Sequence, residues 1–441
     1  MPTSCVEGEM RGWGIALLLT GTALFPNTAV SGPGDHIRPN DSTVITPSVT
    51  SRFSYRSNVY RSEDDPVYAG ELYLRPKLEI AVDTTQLDWG LDGSWGARKY
   101  LFVGAPSDGV VLETSERLQN LDQFNEFNAG TGLVLFERSV VGLEVSDRAT
   151  LRNNAADADY AQAPFTSQLR NRANGALRVS PGEALEIKAG VTHTTDVFQT
   201  PGLDGLVRFN SRTTVGPTGD LRWSFFPRTS FVVSASYEQV RWQETVVRFE
   251  DDGEVGSLQN ELALPNSDHL KVRGGFEGQF TKKLYVDILV GAGQAVYDGS
   301  SSNVEKLDIN LDDGVAWKDG FLLASQIRYK PNEQSNVGLS YRKDFLDAFF
   351  TNVVKYDTVQ LTGAFRWGSF EPSFGYLLRT EQYSGDLSRD DILNRFSSGL
   401  RFYGSEASSV ELGMWWQERA SSDVSVEYDD ISTFLTYDFV Y

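Results

Sequence analysis

The chain has 441 residues, a formal net charge of −20, a mean hydropathy of −0.31 and 12 % aromatic residues. The acidic balance argues against a nucleic-acid partner, because phosphate binding requires a basic face. Beyond the N-terminus no apolar run approaches the ~20 residues that a membrane-spanning helix needs, which excludes a helical membrane protein. Low hydropathy together with 40 glycines and many aromatic side chains suits a β-barrel, in which only alternate residues face lipid.

The N-terminal segment, residues 1–31, is predicted to be a secretory signal. A short apolar run from Gly12 to Phe25 follows Arg11, and Ala29–Ser31 supply small residues for a cleavage site. Cys5 is the single cysteine of the chain and lies inside this segment. The mature protein is therefore expected to contain no disulfide and no lipid-anchor cysteine.

An alternating pattern fills the chain after a periplasmic leader predicted over residues 32–47. The clearest early hairpin runs from Tyr68 to Trp95, with a turn at Asp83–Gln86. Apolar side chains occupy one face of each strand and charged side chains occupy the other, as a period of two requires. By this pattern about eighteen strands, within a range of sixteen to eighteen, are predicted over residues 48–441.

The connections between these strands alternate between short and long. Short turns are predicted at 83–86, 138–140, 180–183, 226–229, 281–283, 331–335, 367–369 and 404–408. Long polar loops are predicted at 101–122, 150–166, 197–208, 246–267, 298–316, 345–355 and 381–391. The alternation predicts an all-β fold, a transmembrane antiparallel up-and-down β-barrel with short periplasmic turns and long extracellular loops. A soluble propeller or β-helix would instead show a repeated unit of fixed length.

The last strand is predicted to close the barrel. From Ile431 to Tyr441 every second side chain is apolar, aromatic or threonine, and the strand should pair with the first strand near Thr50 to Val59. Leu435, Tyr437, Phe439 and Tyr441 are predicted to form the signal that the barrel assembly machinery recognises. The expected location is the outer membrane of a Gram-negative bacterium, with its lipid and lipopolysaccharide as surroundings.

The segment Arg52–Asp65, with the letters RFSYRSNVYRSEDD, resembles the first strand of the outer-membrane family often called β-barrel porin 2. In that family an aromatic-rich strand leads into an Asn-Val/Ile-Tyr/Phe segment and a short acidic loop. The resemblance covers about residue 48 to the end, and beyond this opening it is architectural. It implies an association with export of capsule or exopolysaccharide, with periplasmic export components as partners, and it implies no catalytic motif.

The face opposite the apolar one is densely charged with both signs, and it is predicted to line a hydrated lumen, because unpaired buried charge is expensive. One hypothesis for five consecutive strands is a basic wall suited to an anionic polymer, with guanidinium groups that pair with carboxylates. Its members are Arg328, Arg342, Arg366, Arg379, Arg395 and Arg401. Further charges predicted to face the lumen are Arg75, Lys77, Asp88, Asp92, Arg170, Arg172 and Arg178. The alternative is an ordinary porin charge ladder.

No enzyme is predicted. The chain has three histidines, His36, His193 and His269, and each is interpreted as a surface residue. His269 neighbours Ser267, but no nucleophile motif, paired-histidine metal motif or phosphate loop is present. Acidic clusters such as Glu250–Glu254 lack the spacing of a calcium loop and are interpreted as solvated turns. No cofactor and no metal are expected.

Three hypotheses of function remain. The first is an outer-membrane portal for secretion of an anionic exopolysaccharide or capsule. The second is a passive diffusion porin for small solutes. The third is a plugged or structural barrel that acts as an adhesin or receptor. Conductance, and its response to polymer, separates the three.

Overall fold

The computed structural model is almost entirely β-sheet. It describes residues 36–59, 61, 66–104, 125–153, 167–199, 211–242, 246–248, 259–261, 266–297, 317–332, 334–347, 353–383 and 389–441. The predicted signal, residues 1–31, lies outside them. Among the described residues, no helix is long and apolar enough to cross a bilayer.

Each strand begins and ends close to where the alternating pattern does. In chain order the strands are β1 (Ile37–Asn40), β2 (Thr43–Arg56), β3 (Tyr68–Asp83), β4 (Leu87–Gly104), β5 (Asn125–Leu135), β6 (Val141–Asn153), β7 (Ser167–Gly182), β8 (Leu185–Gln199), β9 (Arg212–Phe226), β10 (Thr229–Trp242), β11 (Val246–Arg248), β12 (Gln259–Glu261), β13 (Ser267–Thr281), β14 (Leu284–Tyr297), β15 (Trp317–Asn332), β16 (Ser335–Asp347), β17 (Val353–Ala364), β18 (Phe370–Tyr383), β19 (Arg389–Tyr403), β20 (Ser408–Ser421) and β21 (Tyr428–Val440). A short 3-10 turn, Val424–Val426, precedes the last of them.

These strands form one closed antiparallel barrel. Within the described residues the main sheet has nineteen strands, and because β1 pairs there only with β2, eighteen of them make the wall. The ring closes where β2 pairs with β21, from Ser48 opposite Val440 to Arg56 opposite Ser432. Strands β11 and β12 form a separate small hairpin between β10 and β13. The predicted fold class, strand number and closing pair are confirmed.

Several predicted boundaries need correction. The first wall strand begins at Thr43, so the predicted leader overlaps β1 and the start of β2. The loops predicted at 345–355 and 381–391 are mostly strand, because β16 runs to Asp347, β17 starts at Val353, and β18 and β19 reach Tyr383 and Arg389. Charged side chains near these strand ends face inward, which made the ends look like polar loops in the sequence.

The pairing registers place apolar side chains on the outside of the barrel. Leu72 and Leu74 on β3, for example, are 42 % and 46 % exposed. Glu71, which points to the opposite face of the same strand, is buried. Aromatic side chains collect at the end that carries the short turns, and the exposed ones there include Trp223, Phe226, Phe280, Trp367, Phe370 and Phe402. An apolar exterior with an aromatic girdle is what a bilayer requires of a spanning barrel, whose closed sheet leaves no unpaired edge in lipid.

The ends of β16 and β17 that lie opposite the short turns do not keep this alternation of outward and inward side chains, and they fold inward. Pairing between β15 and β16 stops at Leu323 opposite Lys343, while β16 and β17 stay paired to Asp347 opposite Val353. We call residues Asp344–Asp347 with Val353–Val354 the inward tip. By strand parity Phe345 should face lipid as Leu339 does, yet Phe345 is completely buried.

The inward tip packs its outer face against the inner wall of β14 and β15. Phe345 and Val353 form a buried cluster with Ala295, Tyr297 and Leu322. The wall provides room because its inward residues here are small: a Cβ built on Gly293 would lie 2.5 Å from the Phe345 ring. The barrel is therefore double-walled at this point, and the lumen is narrower there.

Candidate functional site: the barrel lumen

The lumen is lined by charged side chains that water reaches. Arg75 on β3, Arg172 on β7 and Arg328 on β15 all face inward by register and are all exposed. None of the three forms an ion pair within 4.0 Å with another residue in the described ranges. Because a lumen-facing charge can be exposed only to water, the interior of the barrel is hydrated at these positions.

The residues of the predicted basic wall all face the lumen, on β15 to β19 and the turn after β17. Three of them have carboxylate partners: Arg342 Nη2 lies 2.7 Å from Asp344 Oδ2, Arg379 Nε lies 2.6 Å from Glu381 Oε1, and Arg401 pairs with Glu411. The wall is therefore a ladder of alternating charge over part of its length.

Within the described ranges the other three wall residues form no ion pair with a carboxylate and lie against polar or aromatic groups. Arg395 Nε donates to Gln417 Oε1 at 2.7 Å. Arg328 and Arg366 stack over the rings of Tyr285 and Tyr403, at 4.5 Å and 4.0 Å from the ring centroids. These guanidinium groups keep their charge available to a solute.

The further predicted lumen charges also lie inside the barrel, where most are paired. Lys77 pairs with Glu79 on its own strand. The buried Asp196 accepts from Arg170 at 2.6 Å and from Arg212 at 3.0 Å.

The remaining residues of that set are Asp88, Asp92 and Arg178. Asp92 is buried, with Arg148 at 3.7 Å. Arg178 donates to backbone carbonyl groups of the β5–β6 turn. Asp88 is exposed at the turn end of β4.

The inward tip is held by a buried carboxylate that sequence analysis missed. Lys271 Nζ and Arg273 Nη2 on β13 lie 2.9 Å and 2.6 Å from the two oxygens of Asp344, which also accepts from Arg342. Lys271 Nζ donates to the Phe345 carbonyl at 2.7 Å as well and lies 4.3 Å from the centroid of its ring. Three cations around one carboxylate fix the tip across two intervening strands.

A second carboxylate of the inward tip, Asp347, is enclosed by three hydrogen-bond donors. Ser267 Oγ donates to it at 2.5 Å, His269 Nε2 at 2.8 Å and Tyr297 Oη at 2.7 Å. The interpretation of His269 as a surface residue is wrong, because the side chain is buried by the tip, which brings Asp347 onto it from 78 positions away in sequence.

Ser267, His269 and Asp347 do not have the geometry of a catalytic triad. A triad requires the histidine to use one nitrogen for the carboxylate and the other for the serine. Here Ser267 and Asp347 both approach His269 Nε2, and the serine hydroxyl donates directly to the carboxylate. The cluster is buried, which leaves no room for a substrate, and it acts as an anchor for the tip.

The other two histidines lie elsewhere in the barrel. His36 Nδ1 is 3.1 Å from Thr46 Oγ1 beside β1, and His193 is exposed on the outer face of β8. Among the described residues no group of His, Cys, Asp and Glu could hold a metal ion. The acidic cluster at Glu250–Glu254 lies outside the described residues.

Three of the predicted assembly residues, Leu435, Tyr437 and Phe439, lie on the outer face of β21, and Tyr441 follows the end of that strand. Leu435 and Tyr437 are exposed among the apolar side chains of the exterior, and Phe439 follows in the same phase. The chain terminus stays in the sheet, since Tyr441 N donates to Pro47 O at 3.0 Å. Their recognition by the assembly machinery stays a prediction.

A closed barrel with an apolar exterior, an aromatic girdle and a charged, hydrated interior defines the protein as an outer-membrane β-barrel. No family model matches the chain, and no curated protein matches its sequence.

Among solved structures, the chain is similar to OpdL of Pseudomonas aeruginosa at 14 % identity and a TM-score of 0.44, over 90 % of this chain and 98 % of that one. It is similar to OccAB3 of Acinetobacter baumannii at 10 % identity and a TM-score of 0.44, over 91 % and 99 %. It is also similar to the FrpB iron transporter of Neisseria meningitidis, at 10 % identity and a TM-score of 0.45, over 85 % of this chain and 62 % of that one. Likeness of this degree is no evidence for a substrate, and none of it supports the export role implied by the β-barrel porin 2 resemblance.

Proposed function

We propose that the protein is a passive diffusion channel for small hydrophilic solutes across the outer membrane. The observation that carries the proposal is the solvent exposure of Arg75, Arg172 and Arg328 inside an eighteen-strand wall. Charged side chains that point into the barrel and are exposed to solvent line a water-filled path. A barrel of eighteen strands is wide enough to contain such a path. Outer-membrane lipid and lipopolysaccharide are its proposed surroundings, and the barrel assembly machinery is its proposed route of insertion.

The inward tip is proposed to set the upper size limit of the solute. It adds a second layer to the wall beside β14 and β15 and places the exposed guanidinium group of Arg342 next to the path, with Lys271 and Arg273 less exposed behind it. A constriction that is lined by fixed charge sorts solutes by size and by charge, as rings of charged side chains do in other channels.

Export of an anionic polysaccharide is the less supported hypothesis. It rests on the basic wall, yet Arg342, Arg379 and Arg401 are occupied by carboxylates of the same wall. A polymer would have to displace these internal partners at several positions in succession. A structural or plugged barrel that acts as adhesin or receptor would leave the wetted arginines without a role.

The test is single-channel recording of the refolded protein in a planar bilayer, with acidic exopolysaccharide of the host added to one side at a time. Steady conductance that polymer does not change, together with swelling of proteoliposomes in small sugars and not in large ones, supports the diffusion channel. Block by polymer from one side only would establish the export portal instead. A folded barrel without conductance would contradict both and support the structural role.

A further inference from the structure

One sector of the described barrel exterior carries several small and polar side chains together at mid-height. It lies on β6, β7 and β8, and we call it the β6–β8 patch. Its members are Asp147, Ala149, Asn171, Ala173, Gly175 and His193. They face outward, because they share the phase of the exposed Val145, Leu177 and Val191 on the same strands. By contrast, β20 presents Val410, Leu412 and Met414 on the outside.

Polar groups of the β6–β8 patch are placed where a bilayer would penalise them. Asp147 is exposed, and its Oδ1 accepts from Asn171 Nδ2 at 3.0 Å. The pair has apolar residues on both sides along its strands, with Val145 toward one end and Leu169 toward the other, so it does not belong to the polar rim. A charged side chain on the lipid face costs a few kcal/mol near the bilayer midplane, and a covering protein surface removes that cost.

The β6–β8 patch also has the shape of a packing surface. A Cβ built on Gly175 meets nothing within 4 Å, so the barrel itself leaves open space outside this residue. Ala149 and Ala173 lie beside it. In membranes small residues let two backbones approach closely, and they gain van der Waals contact that lipid tails do not provide.

The polar groups of the β6–β8 patch are self-complementary. Ala173 on β7 is the register partner of Asp147 on one side and of His193 on the other. When copies form a ring around an axis along the membrane normal, one flank of the patch meets the opposite flank of the next copy. The β6 flank carries the carboxylate and the β8 flank carries the imidazole, so an acceptor on one copy meets a donor on the next.

We propose that the β6–β8 patch is the interface of a homo-oligomer, occupied by a second copy of this chain. Each subunit keeps its own lumen, because the patch lies on the outside and shares no residue with the lumen wall. The inference is independent of the proposed function, since a plugged barrel could associate in the same way.

The test compares three forms of the protein extracted in mild detergent, by native mass spectrometry. The wild type is expected to have the mass of two or more chains. Gly175→Leu adds a side chain whose Cβ meets no atom of the subunit within 4 Å, and it is expected to yield monomers. Ser398→Leu on the outer face of β19 makes the same kind of change away from the patch and should leave the oligomer intact. Heat-modifiable migration in gels verifies that each form is folded.

A second measurement keeps the membrane intact. In a Cys5→Ser background, Ala173→Cys is expected to give disulfide- or bismaleimide-linked multimers of this chain in outer-membrane vesicles, and Ser398→Cys is not. A monomeric wild type, an oligomer that survives Gly175→Leu, or cross-linking of Ala173→Cys to a different protein would each overturn the proposal.

Discussion

His269 on β13 and Asp347 on β16 lie 2.8 Å apart, although two strands of the wall separate β13 from β16. The contact exists because the end of β16 leaves its neighbour β15 and crosses the inside of the barrel. Asp347 has three donors around it, so the inward tip is fixed at its far end as well as at Asp344.

Asp347→Asn should weaken the inward tip. The amide keeps the size of the side chain but removes the charge, and it presents an NH2 group to donors that need an acceptor. Hydrogen bonds to a charged group contribute about 1.5–3 kcal/mol each, so the tip is expected to leave the wall part of the time. Single-channel records should show a larger or noisier conductance.

The matched control for this change is Asp357→Asn. Asp357 also accepts from a tyrosine, Tyr341 at 2.5 Å, and from Lys343, but on the outer face of β16 and β17. Its conductance trace should match that of the wild type. An unaltered trace for Asp347→Asn would contradict a role of the tip in narrowing the lumen.

Gly293→Val should displace the tip from the opposite side. The added Cβ would meet the Phe345 ring at 2.5 Å and Leu322 Cδ1 at 3.1 Å, so the ring has to move. Hydrogen exchange of the backbone at 344–347 should rise severalfold, because those amides lose the cover of the inner wall. Gly90→Ala is the control, since a Cβ there meets nothing within 4 Å. Unchanged hydrogen exchange at residues 344–347 would show that the position of the Phe345 ring does not depend on the space beside Gly293.

Removing three arginines of the basic wall should shift ion preference toward cations. In Arg342→Gln combined with Arg366→Gln and Arg379→Gln, the carboxylates of Asp344 and Glu381 lose part of their compensation while the lumen loses three positive charges. Reversal potentials in a salt gradient should move accordingly, and the shift should shrink at high salt as screening grows.

Lys343→Gln provides the control for the arginine variant. It removes one positive charge next to Arg342 in the chain, but Lys343 faces outward and pairs with Asp357 at 2.9 Å. Ion preference should stay as in the wild type. An equal shift in both variants would show that the lumen wall does not set selectivity.

Asp430→Ala should destabilise the seam that closes the barrel. Asp430 is fully buried; its Oδ2 accepts from Arg56 at 2.6 Å and its Oδ1 from the backbone NH of Asn58 at 3.2 Å, both across the junction of β2 and β21. Breaking a buried pair by removing one partner costs about 3–5 kcal/mol. The temperature at which the folded band disappears in heat-modifiability gels should fall clearly. Glu79→Ala, which breaks the more exposed pair with Lys77, should cost less than about 1 kcal/mol.

The wall could be predicted from the sequence because its information is local. Strand phase follows from a period of two, as at Leu72 and Leu74 beside Glu71. Closure follows from the requirement that no edge remain in lipid. Several hairpin turns contain Pro or Gly, which favour turns, as at Pro181–Gly182, Pro227 and Pro331.

The inward tip could not be predicted from local pattern. Phase alone assigns Phe345 and Asp347 to the lipid face, and only the space left by Gly293 on another hairpin shows that they fit inside. A signal existed in the small inward residues Gly291, Gly293 and Ala295 at spacing two. The counter-charges of the basic wall were also readable, since Arg342–Asp344 and Arg379–Glu381 are two residues apart on one strand and so share a face.

The closing seam also has a consequence for how the barrel is made. Apart from the small hairpin β11–β12, every neighbouring pair in the wall joins strands that follow each other in the chain, so the sheet can lengthen at one edge as each hairpin arrives. The exception is the last step, in which Thr50 meets Asp438 across 388 positions. Because a long loop must be closed before that contact is gained, the entropic penalty is deferred to a single final event. An intermediate that lacks only this step would present two open strand edges, β2 and β21, and would be the form most prone to pair with a foreign strand.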